Sequence, residues 1–255
     1  MSVILKDTDD STIYTFPSGV ELTEEPWSKR LDIEPRAHAH GGVLISDEKV
    51  ATRVIFLHGI FDKSSQALME SELNSMKKAC YTEDLRLYAT QNSDDFYKVE
   101  CFNFEHIFLG MLTVVEINVD FQCADPFRYY KNPETTDTKN PVVSGTPYAL
   151  TNDNDGDIEV YPTITFTAGG TITNVKIENV GDAGKYFEYA GTMAITKALV
   201  VDCKEGTVEY DGSDDIANFT GSFFKLISGT NTITITVTGD LGTSTCTFVF
   251  RKKYL

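Results

Sequence analysis

The chain has 255 residues, enough for one large domain or two of ordinary size, and its 22 Lys and Arg against 38 Asp and Glu give a formal net charge of −16. This charge excludes proteins that hold nucleic acid or an anionic membrane by neutralising phosphates, because the basic residues cluster only at 77–78 and 251–253. With 41% hydrophobic and 24% charged residues, the composition is that of a folded globular chain and not of a disordered one.

Neither export nor membrane insertion is predicted from the sequence. The first residues lack the basic and apolar segments of a signal peptide, and no run of 18 apolar residues occurs. The cysteines are odd in number, widely spaced and never in a C-x-x-C pair, which predicts reduced, mostly buried thiols in a reducing compartment. These five residues are Cys80, Cys101, Cys123, Cys203 and Cys246.

The first half of the chain combines strands with one helix. Residues 52–58 form a short apolar run typical of a buried strand, and residues 66–80 follow a helical period with lysines near the end. Residues 85–89 and 97–104 are predicted strands, and residues 115–123 alternate strictly between apolar and polar, which predicts a strand with one wet face. The apolar stripe of the helix consists of Met69, Leu73, Met76 and Cys80.

Three of the eight prolines fall within residues 131–147, which we interpret as a linker. Beyond it the sequence is almost entirely of strand type. Residues 232–238 and 245–251 are predicted to form a hairpin through the turn 239–242, with Ile233, Ile235 and Val237 on one face and threonines on the other. Such short strands separated by Gly and Asp turns predict an antiparallel sandwich. The remaining predicted strands are 163–166, 172–177, 198–202 and 207–210.

No recognisable catalytic, nucleotide-binding or zinc-protease motif occurs in the sequence. His38 and His40 could supply two ligands to a metal, but no third or fourth ligand lies nearby, so a polar turn is favoured. Residues 152–157, Asn-Asp-Asn-Asp-Gly-Asp, resemble a calcium loop, yet the ligand positions around Gly156 would fall on Thr151 and Pro162; a surface turn is therefore predicted. We expect no catalytic site, no metal site and no cofactor.

Two stretches carry a family resemblance. One is Phe121-Gln-Cys-Ala-Asp-Pro-Phe-Arg-Tyr-Tyr130, and the other is Gly221-Ser-Phe-Phe-Lys-Leu-Ile-Ser-Gly-Thr-Asn-Thr-Ile233. Together they resemble the distal tail protein family of phages with long, non-contractile tails. The segment Arg53-Val-Ile-Phe-Leu-His-Gly-Ile60 with its following helix, and the turn at Asp155-Gly156, are also similar to that family. One departure is Ser228, where the family usually has proline.

The resemblance implies a mainly-β fold with one helix, in which residues 1–135 form a split-barrel-like ring domain and residues 136–255 a galectin-like antiparallel β-sandwich. It implies a structural, non-enzymatic protein of the virion tail tip, assembled in the host cytoplasm. Its partners would be five further copies in a homo-hexamer, the tail tube protein, the tail-associated tip or baseplate protein and a receptor-binding protein. No stable binding of nucleic acid is expected, and the high acidity suits a conduit for DNA.

Two alternatives stay open on the sequence. The first is a carbohydrate-binding module for host cell-wall polysaccharide, which would need an exposed aromatic platform; the single tryptophan, Trp27, lies in the first half, and most aromatic residues of the second half fall on predicted core positions. The second is a hydrolase of unknown motif, which would need a cleft with two carboxylates about 5 to 9.5 Å apart.

Overall fold

The computed structural model describes residues 2–26, 29–35, 42–90, 93–139 and 144–255, with side chains omitted for 29–35, 42–50 and 136–139. Trp27, His38 and His40 lie outside the described residues, so the predictions made for these three residues are not tested. The chain divides into two compact units, Met1–Lys131 with Leu255 and Asn132–Tyr254.

Unit 1 contains ten strands and one helix among its described residues. The elements are β1 (Ile4–Lys6), β2 (Thr12–Thr15), β3 (Val20–Glu24), β4 (Lys29–Pro35), β5 (Gly42–Val50), β6 (Arg53–Asp62), α1 (Gln66–Cys80), β7 (Leu85–Tyr88), β8 (Asp95–Phe108), β9 (Val114–Cys123) and β10 (Arg128–Tyr130). The main sheet has the order β2-β1-β7-β8-β9-β6-β3, with β10 pairing with β8, while β4 and β5 form a separate two-stranded ribbon.

The predicted helix over residues 66–80 is confirmed. Ser65 precedes it in an extended conformation, and its hydroxyl accepts a hydrogen bond from the Leu68 amide at 3.3 Å, which satisfies one of the free donors of the first turn. The predicted stripe is buried together with Ala79. This stripe packs in one core with the inward residues of the sheet, so burial of an amphipathic face anchors the helix.

The strand prediction for residues 115–123 is also confirmed, because every odd-numbered residue of this segment is buried. The segment at 52–58 is longer than predicted and different in pattern. In β6, buried and solvent-facing residues alternate up to Asp62, so the strand has one wet face and is not buried on both sides. The outward side chains Phe56 and Ile60 disguise this alternation in the sequence, since they are apolar but exposed.

Unit 2 is an antiparallel sandwich. Its strands are β11 (Glu134–Lys139), β12 (Tyr148–Asn154), β13 (Thr163–Thr167), β14 (Ile172–Asn179), β15 (Lys185–Tyr189), β16 (Ala198–Asp202), β17 (Thr207–Tyr210), β18 (Ser213–Asp214), β19 (Phe219–Gly221), β20 (Gly229–Gly239) and β21 (Thr245–Phe250), with a 3-10 turn at Ile216–Asn218. One sheet has the order β11-β21-β13-β16-β17-β18 and the other β12-β20-β14-β15-β19, and inward residues from both share one hydrophobic core. The short strand β22 (Lys253–Tyr254) lies in neither of these two sheets.

The predicted hairpin between residues 232–238 and 245–251 is wrong, although both strands exist. β20 pairs with β12 and β14, whereas β21 pairs with β11 and β13 in the other sheet. The connection is an arch between sheets: Leu241 is 9% exposed, and the buried Ser244 hydroxyl accepts from the Gly169 amide at 2.9 Å. The alternation itself is confirmed, since Ile233, Ile235 and Val237 are buried.

The linker interpretation of residues 131–147 is also wrong in part. Residues Glu134–Lys139 form β11, which pairs along its whole length with β21. Proline and glycine lie on both sides of the strand in this stretch. They suggest a linker, so the short edge strand of polar residues between them is not predicted. Covering one side of β21, this strand belongs to the sandwich.

The predicted fold class is confirmed: the chain is mainly β, with one helix among the described residues and an antiparallel sandwich in the second unit. All five cysteines are free, four of them buried and Cys101 partly buried. Burial raises the pKa of the Cys123 and Cys203 thiols to about 12, so both stay protonated and behave as small apolar side chains.

Candidate assembly surface

The connection between β8 and β9 is a short turn at one end of the unit 1 sheet. The last strand pair is Phe108 with Val115, and the turn is closed by hydrogen bonds from the Leu109 amide to the Val114 carbonyl at 3.0 Å and from the Val114 amide to the Met111 carbonyl at 3.2 Å. Gly110 has φ +70, a left-handed conformation that favours glycine, and a Cβ there would meet nothing within 4 Å. The turn therefore projects into open space.

This turn and the last residues of β8 present large apolar side chains to solvent. Turns between strands ordinarily carry Gly, Asn, Asp and Ser, so apolar residues at such positions depart from the usual chemistry. We call the following four residues the apolar tip. They are Ile107 at 56% exposure, Leu109 at 39%, Met111 at 67% and Leu112 at 52%.

The apolar tip is braced from the side by the segment between β6 and α1. The Lys63 amide donates to the Thr113 carbonyl at 2.9 Å, and the Lys63 ammonium lies 2.7 Å from a carboxylate oxygen of Glu72 on α1. The Tyr14 hydroxyl donates to the same carboxylate. Although burial raises the pKa of Glu72, the hydrogen bonds from Lys63 and Tyr14 outweigh it and hold that pKa below its usual range. A turn held in this way is preorganised for contact.

A histidine lies directly behind the tip. The His106 ring is 5.8 Å from Phe108 and 6.4 Å from Phe104 between centroids, and the Lys77 ammonium is 5.8 Å from the Phe104 centroid. Partial burial lowers the pKa of His106, and the positive charge of Lys77 lowers it further. The imidazole is therefore neutral at physiological pH, and the strand leading into the tip carries no positive charge at this position.

The outward surface of β6, β9 and β8, which we call the outer face, is mixed in character. Phe56 is 37% and Ile60 48% exposed on β6, while Phe102, at a bulge in β8, is 58% exposed. Two carboxylates of β9 lie between these apolar groups, and both are paired. Glu116 lies 3.0 Å from His58, and Asp120 accepts a hydrogen bond from Asn103 at 2.9 Å.

A groove of about 450 Å³ opens elsewhere on unit 1. Its floor includes Arg86 and Lys98, which lie opposite each other on β7 and β8. Both cations rest on aromatic rings, with Arg86 4.9 Å from the Phe96 centroid and Lys98 4.5 Å from the Tyr129 centroid. Carboxylates also line the groove, so its chemistry selects no single class of ligand. The residues are Thr8, Asp84, Leu85, Arg86, Lys98, Val99, Glu100, Gln122, Ala124 and Asp125.

The first resemblance motif, residues 121–130, is structural. Phe121 and Cys123 end β9 in the core, and Asp125 accepts a hydrogen bond from the Tyr129 hydroxyl. Tyr129 then stacks on Phe96 with 5.8 Å between centroids, and Arg128 donates to Asp95 at 3.0 Å. These contacts hold the segment that follows β9 against β8.

The second motif, residues 221–233, is held by buried asparagines. Asn231 is fully buried; its side-chain oxygen accepts from the Ile227 amide, and its side-chain NH2 donates to the Ile227 carbonyl, both at 2.9 Å. Asn179 donates to the Lys225 carbonyl at 2.7 Å, and Asn154 donates to the Leu226 carbonyl at 3.3 Å. Side-chain amides therefore fix residues 222–228 of the motif, between β19 and β20, where the only strand-like pairing among the described residues is the isolated bridge of Leu226 with Val160.

The prediction of a surface turn over residues 152–157 is wrong for its first half. Asn152 and Asn154 are the buried end of β12, and only the residues that follow form a turn. There the Ser228 hydroxyl donates to the Gly156 carbonyl at 2.6 Å. Ser228 thus makes a specific contact with the Asp155-Gly156 turn.

Aromatic residues in unit 2 are mostly core, as predicted, with two clearly exposed tyrosines among its large exposed side chains. Tyr161 is 48% and Tyr186 43% exposed. The Lys176 ammonium lies 4.3 Å from the Tyr186 centroid, so one face of that ring is already occupied.

In the described part of the chain, no group of three or more His, Cys, Asp and Glu side chains has the geometry of a metal site. No described helix is long and apolar enough to cross a membrane.

The apolar tip was missed by sequence reasoning. Its signal is nevertheless present, because Phe108-Leu-Gly-Met-Leu112 joins two amphipathic strands without the polar residues that a solvent-exposed turn requires. Taken alone, this run has the composition of a buried strand. The pairing register of β8 with β9 shows that it forms the turn between them.

Residues 155–254 match the family described as siphovirus-type tail component, C-terminal domain. The predicted resemblance to the distal tail protein family is confirmed by this match, which lies in the second half of the chain. No curated protein matches the sequence.

Among solved structures, the chain is similar to the Dit protein (gp 19.1) of phage SPP1, described as a paradigm of the hub adsorption apparatus in phages that infect Gram-positive hosts. The TM-score is 0.74 and the identity 17%, over 99% of each chain. The chain has the Dit fold. Two structures of the phage p2 baseplate in its activated conformation, with Ca and with Sr, match at 9% identity with TM-scores of 0.48 and 0.49, covering 98% of this chain and 97% of theirs. Similarity at that level carries no argument.

Proposed function

We propose that the protein is a structural hub at the distal end of a phage tail, where six copies close a ring that joins the tail tube to the tip or baseplate protein. Unit 1 forms the ring and unit 2 is an outward arm that docks a receptor-binding protein. The observation that carries the proposal is the match of residues 155–254 to the tail component family together with a fold shared with a hub protein over the whole chain.

The division of roles is supported by the surfaces of the two units. In unit 1, the apolar tip and the outer face leave large apolar side chains in solvent, as expected of a surface that is covered on assembly. In unit 2, the outward positions of β20 are Thr232, Thr234, Thr236 and Thr238, which suit a domain that stays exposed.

The proposal includes no chemical reaction and no cofactor. In the alternative role of a carbohydrate-binding module, exposed aromatic rings would stack on sugars. Tyr186 has one face against Lys176, and the other clearly exposed tyrosine in unit 2 is Tyr161. This arrangement favours an arm for protein contacts over a saccharide platform. A glycan array with the isolated protein checks this, and saturable binding lost on Tyr161→Ala would support the alternative.

Native mass spectrometry of the purified chain, alone and with the tail tube and tip proteins of the same phage, tests the proposed function. A closed ring should have a mass of about 170 kDa, six times the 28.3 kDa of one chain, and should gain mass with each partner. A monomer that persists with both partners present would contradict the proposal.

A further inference from the structure

We propose that Cys80 and Cys101 form a redox pair in unit 1, which closes into a disulfide in an oxidising environment and then ties the end of α1 to β8. Cys80 is the last residue of the helix and is 4% exposed, whereas Cys101 lies partly buried on β8. The two thiols are hydrogen-bonded to each other. A buried thiol in direct contact with a partly exposed one is the arrangement of a resolving and a reactive cysteine.

The end of the helix and the strand are already held together beside this pair. The Lys77 ammonium, in the last turn of α1, lies 5.8 Å from the ring centroid of Phe104 on β8. Both cysteines also pack in the core that the helix shares with the sheet. The register of β8 with β9 shifts between Cys101 and Asn103, so the ladder is interrupted at this point. A strand adjusts locally at such a bulge, which lets the two sulfurs reach bonding distance.

The two thiols have different chemical roles. The Cys101 thiol donates its only proton to the Asn103 carbonyl at 3.4 Å, so Cys80 is the donor in the bond between the sulfurs. That bond and the Asn103 backbone lower the pKa of Cys101, and they outweigh burial and the charge of Asp120, which raise it. The same bond, together with burial, raises the pKa of Cys80. Cys101 is therefore the attacking thiolate, and Cys80 completes the disulfide.

A small disulfide such as oxidised glutathione is the oxidant. The Cys101 thiolate attacks one of its sulfurs, the S–S bond breaks, and one glutathione leaves and takes up the proton that Cys101 gave up. The Cys101 sulfur is then uncharged, so it no longer opposes ionisation of Cys80. Cys80 loses its proton to water and attacks the Cys101 sulfur, and the second glutathione leaves as a thiol. The protein loses two electrons and two protons, and one glutathione disulfide becomes two thiols.

The timing of this step follows from the role proposed above. In that role the chain would be made in a reducing host cytoplasm and released from it, so the bond would close only in the finished particle. This timing rests on the proposed function, whereas the chemistry of the pair is a property of the single chain. The bond would fasten the helix to β8, the strand that leads into the apolar tip.

The reactivity of the thiols in the folded, reduced wild-type chain is the first test. Brief alkylation with iodoacetamide, followed by mass spectrometry of the peptides, should label Cys101 at least about tenfold faster than Cys123 or Cys203. These two cysteines are internal controls, because burial raises the pKa of each to about 12. Equal labelling of Cys101 and Cys123 would overturn the inference.

Oxidation of the full-length chain by oxidised glutathione tests the bond itself, with intact mass as the readout. The wild type and the control Cys123→Ser should each lose about 2 Da and regain it with a reductant, because one internal disulfide forms. Cys80→Ser should stop at the mixed disulfide with glutathione, and Cys101→Ser should stay reduced. An internal disulfide that still forms in Cys101→Ser, or a wild-type chain that keeps five free thiols, would overturn the inference.

The outcomes for this pair and for the proposed function are distinguishable. A ring that assembles but whose chains form no Cys80–Cys101 bond would reject the redox pair and leave the proposed function intact. A chain that forms the bond but stays monomeric with its partners would support the pair and contradict the proposed function.

Discussion

The two units differ in which side chains they expose to water. Unit 2 fixes its irregular segments with buried amides, such as Asn231 against the backbone of Ile227, and covers outward positions of β20 with threonine. Unit 1 leaves apolar side chains in water at its tip and holds that tip with Lys63. A motif is fixed by side-chain contacts in unit 1 as well, at residues 121–130, so the two units differ in the exposed apolar side chains of the tip and not in how their motifs are held.

The largest expected effect is on the core of unit 2. Phe248 is fully buried on β21, between β11 and β13. Phe248→Ala should lower the free energy of unfolding by about 3 to 5 kcal/mol, because the ring leaves a cavity that the sandwich cannot fill. Thermal melting followed by circular dichroism checks this. Unchanged melting together with failed tail assembly would mark Phe248 as a partner contact and remove the distinction between the units.

Two buried asparagines, Asn231 and Asn152, test how the second motif is held in its conformation. Asn231→Leu should lower the free energy of unfolding by about 3 kcal/mol, because it leaves the partly buried Ile227 amide and carbonyl without their side-chain partner. Asn152 is its matched control: it lies directly opposite on β12, is 1% exposed, and neither side-chain polar atom has a hydrogen-bond partner.

Asn152→Leu should therefore leave stability unchanged or raise it, since a buried unpaired amide is replaced by an apolar group. Urea unfolding of the two variants measures the difference. Equal losses for both would show that shape, and not hydrogen bonding, fixes the segment at residues 225–231.

A smaller effect is expected on the pH dependence of unit 1. The pKa of His106 is lower in the folded state than its ordinary value of 6.5, so the unfolded chain binds a proton more readily. Stability should therefore be full above pH 6.5 and should fall as the pH drops through and below that value, by less than about 1 kcal/mol for this partly exposed group.

Both His106→Gln and Lys77→Gln should reduce that loss between pH 7 and pH 5, measured by urea unfolding at each pH. The first removes the titrating group, and the second removes a charge that opposes its protonation. A variant with the wild-type slope would show that another group causes the acid sensitivity.

What the sequence could predict depends on how far apart the interacting residues lie. The helix at Gln66–Cys80 and the alternation in β9 are local patterns, and both are confirmed. The partner of β20 is not local: the turn at residues 239–242 suits a hairpin, but burial of Leu241 sends the chain across to the other sheet. β11 was hidden for the same reason, because a polar edge strand is stabilised by β21 more than by its own residues.

The candidate surface was harder to predict than the fold. Asn152 and Asn154 were predicted to lie in a surface turn because their composition is polar, and no prediction was made for Leu109 and Met111, whose apolar side chains are typical of a core. Composition alone assigns both groups to the wrong environment. Only the strand register places the asparagines inside and the apolar residues at a turn, and that register depends on residues distant in sequence.

The central claim, that unit 1 assembles while unit 2 serves as an arm, is tested most directly by limited proteolysis of the assembled protein followed by native mass spectrometry. Cleavage between Lys131 and Asn132, where the compact units divide, should leave an N-terminal fragment that remains a closed oligomer and a C-terminal fragment that is monomeric and folded. A fragment beginning at Tyr148 should be less stable than one beginning at Asn132, because it lacks β11. An N-terminal fragment that falls apart into monomers, or a C-terminal fragment that carries the oligomer, would contradict the account.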